Sequence, residues 1–191
     1  MSALYFKVFS LPSAVNESQI LPEILAYSKR KYGDRYIISA YCWQQLLNEY
    51  KKFTNKLLAI DFNAKSIVSE LKKYNLSVSH SNDACAFAFI VGEEENFPLG
   101  IDVERVSNKK NQRFLDFLNL DDSATESDFL VAFTKYESAY KALGQIEIKD
   151  NLKRGERYIK AFNGNTFIRE IKGERYIVSI FNKNCVLEEI K

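Results

Sequence analysis

The chain has 191 residues, 46% hydrophobic and 14% aromatic, enough to bury a core for one large domain or two small halves and too apolar for a disordered chain. Its 27 basic and 25 acidic residues leave a formal charge of +2, so the overall charge does not mark a nucleic-acid binder. Cys42, Cys85 and Cys185 are odd in number, far apart and without a C-x-x-C pair, which argues against a disulfide framework or a zinc site and fits a reducing cytoplasm.

The opening "MSALYFKVFS" lacks the basic start, sustained apolar stretch and small-residue cleavage site of a signal peptide, and no apolar run of about 18 residues occurs later. The chain reads as soluble and unprocessed, with no membrane partner. Residues 3–9, "ALYFKVF", predict a first strand; 17–31 predict a helix entered through Asn16 or Ser18 and closing on Lys29, Arg30 and Lys31 before Gly33. Asp34 is placed to cap a second helix, "RYIISAYCWQQLLNEYKKF". In it apolar residues recur at Ile37 or Ile38, Tyr41, Leu46 and Tyr50 or Phe53, and the first turn presents Arg35.

The period then changes. "LSVSHSNDACAFAFIVG" reads as a hairpin: Leu76, Val78 and His80 alternate with serines, Asn82-Asp83 turns the chain, and 84–91 form a nearly continuous apolar strand. The acidic "GEEENF" leads into "PLGIDVERV". There Asp102 and Glu104 share one strand face, while Ile101 and Val103, with Leu99, take the other. Two like charges on one face of an otherwise apolar strand favour a cation between them.

"NKKNQRFLDFLNL" predicts a short helix, and "DDSATESD" supplies Ser and Thr caps for the next one, "ESDFLVAFTKYESAYKALG", residues 126–144. Phe129, Phe133, Tyr136, Tyr140 and Leu143 mark its core stripe, Gly144 is placed to end it, and Glu137 borders the stripe with Lys141 one turn further on the same side. Taken alone, Glu137 and Lys141 read as a surface ion pair. The final third reads as strand-rich, and "GERY" at 155–158 and 173–176 reads as two similar turn-to-strand junctions. Each half offers helical material and about three strands, without a Pro- or Gly-rich linker. This predicts two packed subdomains of mixed α+β class, 1–98 and 99–191.

Three carboxylates, Asp102, Glu104 and Glu137, make with water and phosphate oxygens a hard-cation site suited to Mg²⁺. The single histidine, His80, lies between Ser79 and Ser81; by itself it reads as a hydrogen-bonded hairpin residue.

"VSHS" at 78–81, "GIDVE" at 100–104 and "FTKYESAYK" at 133–141, in this order and spacing, resemble the core of the 4'-phosphopantetheinyl transferases of the larger two-subdomain, surfactin-synthetase-activating type. That family's pattern is Ser-His-Ser, then G-[IV]-D-[VI]-E, then W-[ST]-x-K-E-[SA]-x-x-K. The resemblance covers 76–144 and reaches more loosely to "DRY" at 34–36 and "NAKS" at 63–66. It implies two similar α+β subdomains related by pseudo-twofold symmetry, with the ligand site between them. The activity implied is Mg²⁺-dependent transfer of 4'-phosphopantetheine from coenzyme A to a serine of an apo acyl or peptidyl carrier protein, releasing adenosine 3',5'-bisphosphate, by a monomer.

By the same resemblance Asp102, Glu104 and Glu137 hold Mg²⁺, and Lys31, Arg35, Lys65, Ser79, His80 and Lys141 bind coenzyme A. Arg35 and Lys65 are the better matches to the family's basic positions, and Lys31 the weaker. Glu137, Glu104 and Lys141 are the catalytic set: Glu137 is the candidate base, directly or through water, with the division of labour between it and Glu104 open. Two positions depart from the pattern, Phe133 for tryptophan and Tyr136 for the lysine before the glutamate. The alternative is a catalytically silent coenzyme A or nucleotide-binding module that acts through a partner.

Overall fold

The computed structural model of the chain describes residues 3–64, 67–92, 97–106, 112–144, 154–182 and 185–191. Among them the strands are β1 (Ala3–Ser10), β2 (Leu76–Ser81), β3 (Ala84–Val91), β4 (Gly100–Arg105), β5 (Gly164–Ile171), β6 (Glu174–Phe181) and β7 (Val186–Glu189). The helices are α1 (Pro22–Tyr32), α2 (Tyr36–Thr54), α3 (Ile67–Lys73), α4 (Gln112–Leu118), α5 (Glu126–Leu143) and α6 (Arg154–Ala161). The class is mixed α+β with two sheets, ordered β2-β3-β1-β7 and β4-β6-β5. The last strand, β7, returns to the first sheet and runs parallel to β1.

Alternation along the strands builds the layers. Leu4, Phe6, Ala84, Ala86, Ala88 and Ile90 of the first sheet pack against Ile101, Val103, Tyr176, Val178 and Ile180 of the second. The opposite face of the first sheet sets Leu76, Phe87 and Phe89 against Ile24, Tyr27, Trp43 and Leu46 of α1 and α2. The far face of the second sheet sets Ile177 and Phe181 against α4, α5 and α6. Strand β3 is therefore buried on both faces, which is why its sequence shows no polar alternation.

The hairpin forms as expected, with Asn82 at φ 52° in its two-residue turn. Elsewhere the structure corrects the reading. Residues 17–31 are not one helix: Asn16 caps a 3₁₀ turn over Glu17–Gln19, Ile20 and Leu21 are extended, and α1 starts at Pro22. Proline has no N–H to give inside a helix but costs nothing at the first position. Asp34 does not cap α2. It lies in a 3₁₀ turn, Gly33–Arg35, which runs straight into the helix and satisfies the Tyr36 N–H with the Gly33 carbonyl.

The two GERY segments also differ. Gly173 turns the chain into β6 at φ 78°, whereas 155–158 lie inside α6, where Gly155 passes against Phe117 and Tyr158 is buried. In α5 the deeply buried residues besides Phe129 and Leu130 are small: Ala132, Thr134, Ser138, Ala139 and Ala142, while Phe133, Tyr136, Tyr140 and Leu143 are half-buried. The reason is close approach. A Cβ on Gly100 would lie 1.9 Å from the Ser138 carbonyl oxygen, so α5 rests on β4 backbone to backbone.

Candidate active site

The first sheet ends at β2 and the second at β4, and these two edge strands lie side by side. Serine hydroxyls join them. Ser77 Oγ accepts from the Ile101 N–H at 2.9 Å, Ser79 Oγ donates to Asp102 Oδ1 at 2.8 Å, and Ser81 Oγ donates to Glu104 Oε2 at 2.7 Å while accepting from the Arg105 N–H at 3.4 Å. Every second residue of β2 thus faces β4, and two edge N–H groups that would lack a ladder partner are satisfied by side chains. Asp102 and Glu104 share the face turned to α5, with Ile101 and Val103 in the core behind them, as the alternation predicts.

From the other side α5 brings Glu137 and Lys141. Thr125 starts this helix with a reciprocal capping box: its Oγ1 accepts from the Asp128 N–H at 3.2 Å, and Asp128 Oδ2 accepts from the Thr125 N–H at 2.9 Å. One turn beyond Glu137, Lys141 Nζ donates to Asp102 Oδ1 at 2.7 Å and to the Ile101 carbonyl at 3.0 Å. Lys141 is therefore not half of a surface pair with Glu137; it reaches across to the strand. Asp102 is 4% exposed, and its second oxygen, Oδ2, is buried with no hydrogen-bond partner among the described residues. A buried carboxylate oxygen left in this state is costly unless something cationic or a donor meets it.

A cavity of about 290 Å³ opens over these groups, lined by Ser79, His80, Asp102, Glu104, Glu137 and Lys141, with Lys31, Tyr32 and the aromatic and aliphatic side chains of Tyr27, Trp43, Leu71 and Val78. Its electrostatics are those of crowded acids. Burial, then the charge of Asp102, pushes the Glu104 carboxyl up to about 7, against the pull of Ser81 and Lys141. Burial and Asp102 raise Glu137 in the same direction. His80 stacks edge-on to Tyr32, ring centroids 4.9 Å apart. Burial, then Lys141, Lys31 and Arg35, lowers its imidazole to about 4, so it is neutral near pH 7 and can accept or donate one hydrogen bond.

Among the described residues no group of three His, Cys, Asp or Glu side chains is gathered as a ready metal cage. The donor set nonetheless fits a hard cation: three carboxylates line one cavity, and one of their oxygens is buried and orphaned.

Of the residues singled out in the sequence, Lys31, Ser79, His80, Asp102, Glu104, Glu137 and Lys141 meet at this cavity. Lys31 stands at its rim, its Nζ donating to the Tyr27 hydroxyl at 3.1 Å. Arg35 is exposed and does not line the cavity, although its charge is felt at His80. Lys65 lies outside the described residues. Tyr136 packs its ring among Phe117, Phe133, Tyr140 and Tyr158 and is no part of the cavity wall, and Lys135 sits over the Phe162 ring, 5.6 Å from its centroid.

Sequence reasoning overlooked Ser77 and Ser81 as supports for β4, although their period-two spacing with Ser79 was the signal. It also overlooked Tyr27, Tyr32 and Trp43, whose place in the wall depends on how α1 and α2 pack. No protein-family model matches the chain, and neither does any curated protein.

Proposed function

We propose that the chain is a 4'-phosphopantetheinyl transferase: it moves the phosphopantetheine group of coenzyme A onto a serine of an apo acyl or peptidyl carrier protein and releases adenosine 3',5'-bisphosphate. The observation that carries this reading is the convergence of Asp102, Glu104, Glu137 and Lys141 with His80 on one cavity, with Asp102 Oδ2 buried and unmet. On this reading subdomains 1–98 and 99–191 are related by a pseudo-twofold axis with the substrate between them. The lining supports only the position of the site, since β2 supplies Ser79 and His80 while β4 and α5 supply the carboxylates and Lys141.

Asp102, Glu104 and Glu137 would hold Mg²⁺, which when bound supplies charge neutralisation at the pyrophosphate. The chain's own groups do the rest. Lys141 adds positive charge to the same oxygens, and neutral His80 and rim Lys31 hold the phosphates of coenzyme A. Glu137, directly or through water, takes the proton from the carrier serine hydroxyl, with Glu104 as the other candidate base. The serine oxygen bonds to the phosphorus bearing the pantetheine arm. The bond from that phosphorus to the bridging oxygen breaks, and the bridging oxygen leaves on adenosine 3',5'-bisphosphate.

One observation favours the silent module as a second reading: where the family carries a lysine, Tyr136 contributes packing, and Lys135 does not turn into the site. Incubation with Mg²⁺, coenzyme A and a panel of apo carriers separates the two. The transferase adds one phosphopantetheine mass to a carrier serine, and Asp102→Ala abolishes the gain with the fold intact. Coenzyme A binding without a mass gain on any carrier identifies the silent module. The resemblance implies a monomer, and the cysteine usage fits a reducing cytoplasm. Among the described residues no helix is long and apolar enough to cross a membrane.

A further inference from the structure

The serines of β2 are spaced to do more than join two sheets. A hydroxyl has one proton to donate. Ser79 gives its proton to Asp102 Oδ1, and Ser81 gives its own to Glu104 Oε2, at 2.8 and 2.7 Å. Each bond takes one oxygen of a carboxylate and fixes the direction in which the other points. For Asp102 that other oxygen is the buried, unmet Oδ2. Ser81 is anchored in turn, because its oxygen accepts the Arg105 N–H, so it cannot rotate away without abandoning a backbone donor. Ser77 is built into the same row, but among the described residues its hydroxyl bonds no carboxylate and accepts the Ile101 N–H.

We propose that Ser79 and Ser81 are positioning residues that hold Asp102 and Glu104 as oriented ligands for a divalent cation. Ser79 then serves the cation site through Asp102 and does not donate to a coenzyme A phosphate. This rests on the transferase reading of the same cavity and adds to it a set of outer groups that decide cation affinity. Such outer partners act by fixing the orientation and hydrogen bonding of the ligand they touch. A one-residue slip of β2 would turn Leu76, Val78 and His80 toward β4 in their place, so the alternation of the hairpin and the competence of the site are one property.

The test is titration of Mn²⁺ alone into the full chain, read from the electron paramagnetic resonance of the free ion. Ser81→Ala should raise the dissociation constant by about 10–100-fold, and Ser79→Ala by a similar factor through Asp102. Ser81→Thr, which keeps the hydroxyl on a side chain that strands accept, should bind within about threefold of the wild type. Ser77→Ala should lower the melting temperature and leave Mn²⁺ affinity unchanged. Wild-type affinity in both Ser79→Ala and Ser81→Ala, or an equal loss in Ser77→Ala, overturns the positioning role while the transferase reading stands. A wild-type chain that binds no Mn²⁺, or an Asp102→Ala chain that binds it undiminished, overturns the cation site itself.

Discussion

Gly100→Ala is a one-methyl test of how the site is assembled. The new Cβ would lie 1.9 Å from the Ser138 carbonyl oxygen, 2.8 Å from its carbon and 3.1 Å from the Ala142 nitrogen, all backbone atoms of α5. No side chain can rotate to relieve these contacts, so helix and strand must part by about 1 Å at this crossing. Overpacking of this kind destabilises by about 1–3 kcal/mol, which for a chain of this size lowers the melting temperature by about 2–10 °C. If the chain is the proposed transferase, the larger effect falls on chemistry. Glu137 and Lys141 flank Ser138 on the displaced helix while Asp102 and Glu104 stay on the strand, and a misplacement of about 1 Å between reacting groups can cost about 10²-fold. Thermal unfolding by circular dichroism and single-turnover transfer of phosphopantetheine measure the two effects separately. Gly33→Ala, at φ 54° with open space around it, is the control: it strains one residue and should leave transfer unchanged. A Gly100→Ala protein with wild-type melting and transfer would mean that this contact does not set the distance between helix and strand.

Lys141→Ala removes the partner of a buried carboxylate, since the Asp102 side chain is 5% exposed and its Oδ1 lies 2.7 Å from Nζ. Without Mg²⁺ the loss should be about 3–5 kcal/mol in chemical denaturation, and single-turnover transfer should slow by about 10²–10³-fold. Thr125→Ala should cost about 1 kcal/mol in the same denaturation assay, because it strips the capping box from the start of α5. The pH dependence of stability should split between two groups of opposite sign. Burial and Asp102 raise Glu104 from 4.5 to about 7, so the folded chain keeps a proton that the unfolded chain has released; this contribution is complete below about pH 4.5 and is lost as pH rises through about 7. Burial and the neighbouring cations lower His80 from 6.5 to about 4; its contribution is complete above about pH 6.5 and is lost as pH falls through about 4. Urea melts of the metal-free protein at about pH 5 and about pH 6.5 read both. Relative to wild type, Glu104→Gln should gain stability as pH rises over that interval and His80→Phe should lose it; parallel profiles for all three proteins would contradict both assignments.

The parts of the fold written locally were legible. "LSVSHS" alternates, so its strand and the two faces follow from a period of two, and "TESD" spells the reciprocal cap that α5 uses. Strand β3 was also legible, because a short, continuous apolar run bounded by a turn fits a strand covered on both sides. The misread parts depend on neighbours. The stripe of α5 does pack on the core, Phe129 within it and Phe133, Tyr136, Tyr140 and Leu143 against it, but a second, closer face was not legible: Gly100 brings β4 so near that only alanine, serine and threonine fit between. "GERY" carries no signal of its own: beside Phe117 and Tyr140 it is a helix, and beside β4 it is a strand. In the site, the acidic residues were visible because like charges on one strand face are unusual. The hydroxyls of Ser77 and Ser81 share a face with Ser79 by their period-two spacing, but the partners that this face meets lie on a strand of the other sheet, which the spacing does not name.

Transfer itself is read by intact-mass analysis of an apo carrier protein after incubation with the chain, coenzyme A and Mg²⁺, with chelator and Asp102→Ala as parallel arms. A Mg²⁺-dependent transferase gives a gain of one phosphopantetheine on a carrier serine that disappears in both arms. No gain on any carrier, or a gain that persists with chelator and with Asp102→Ala, would contradict it.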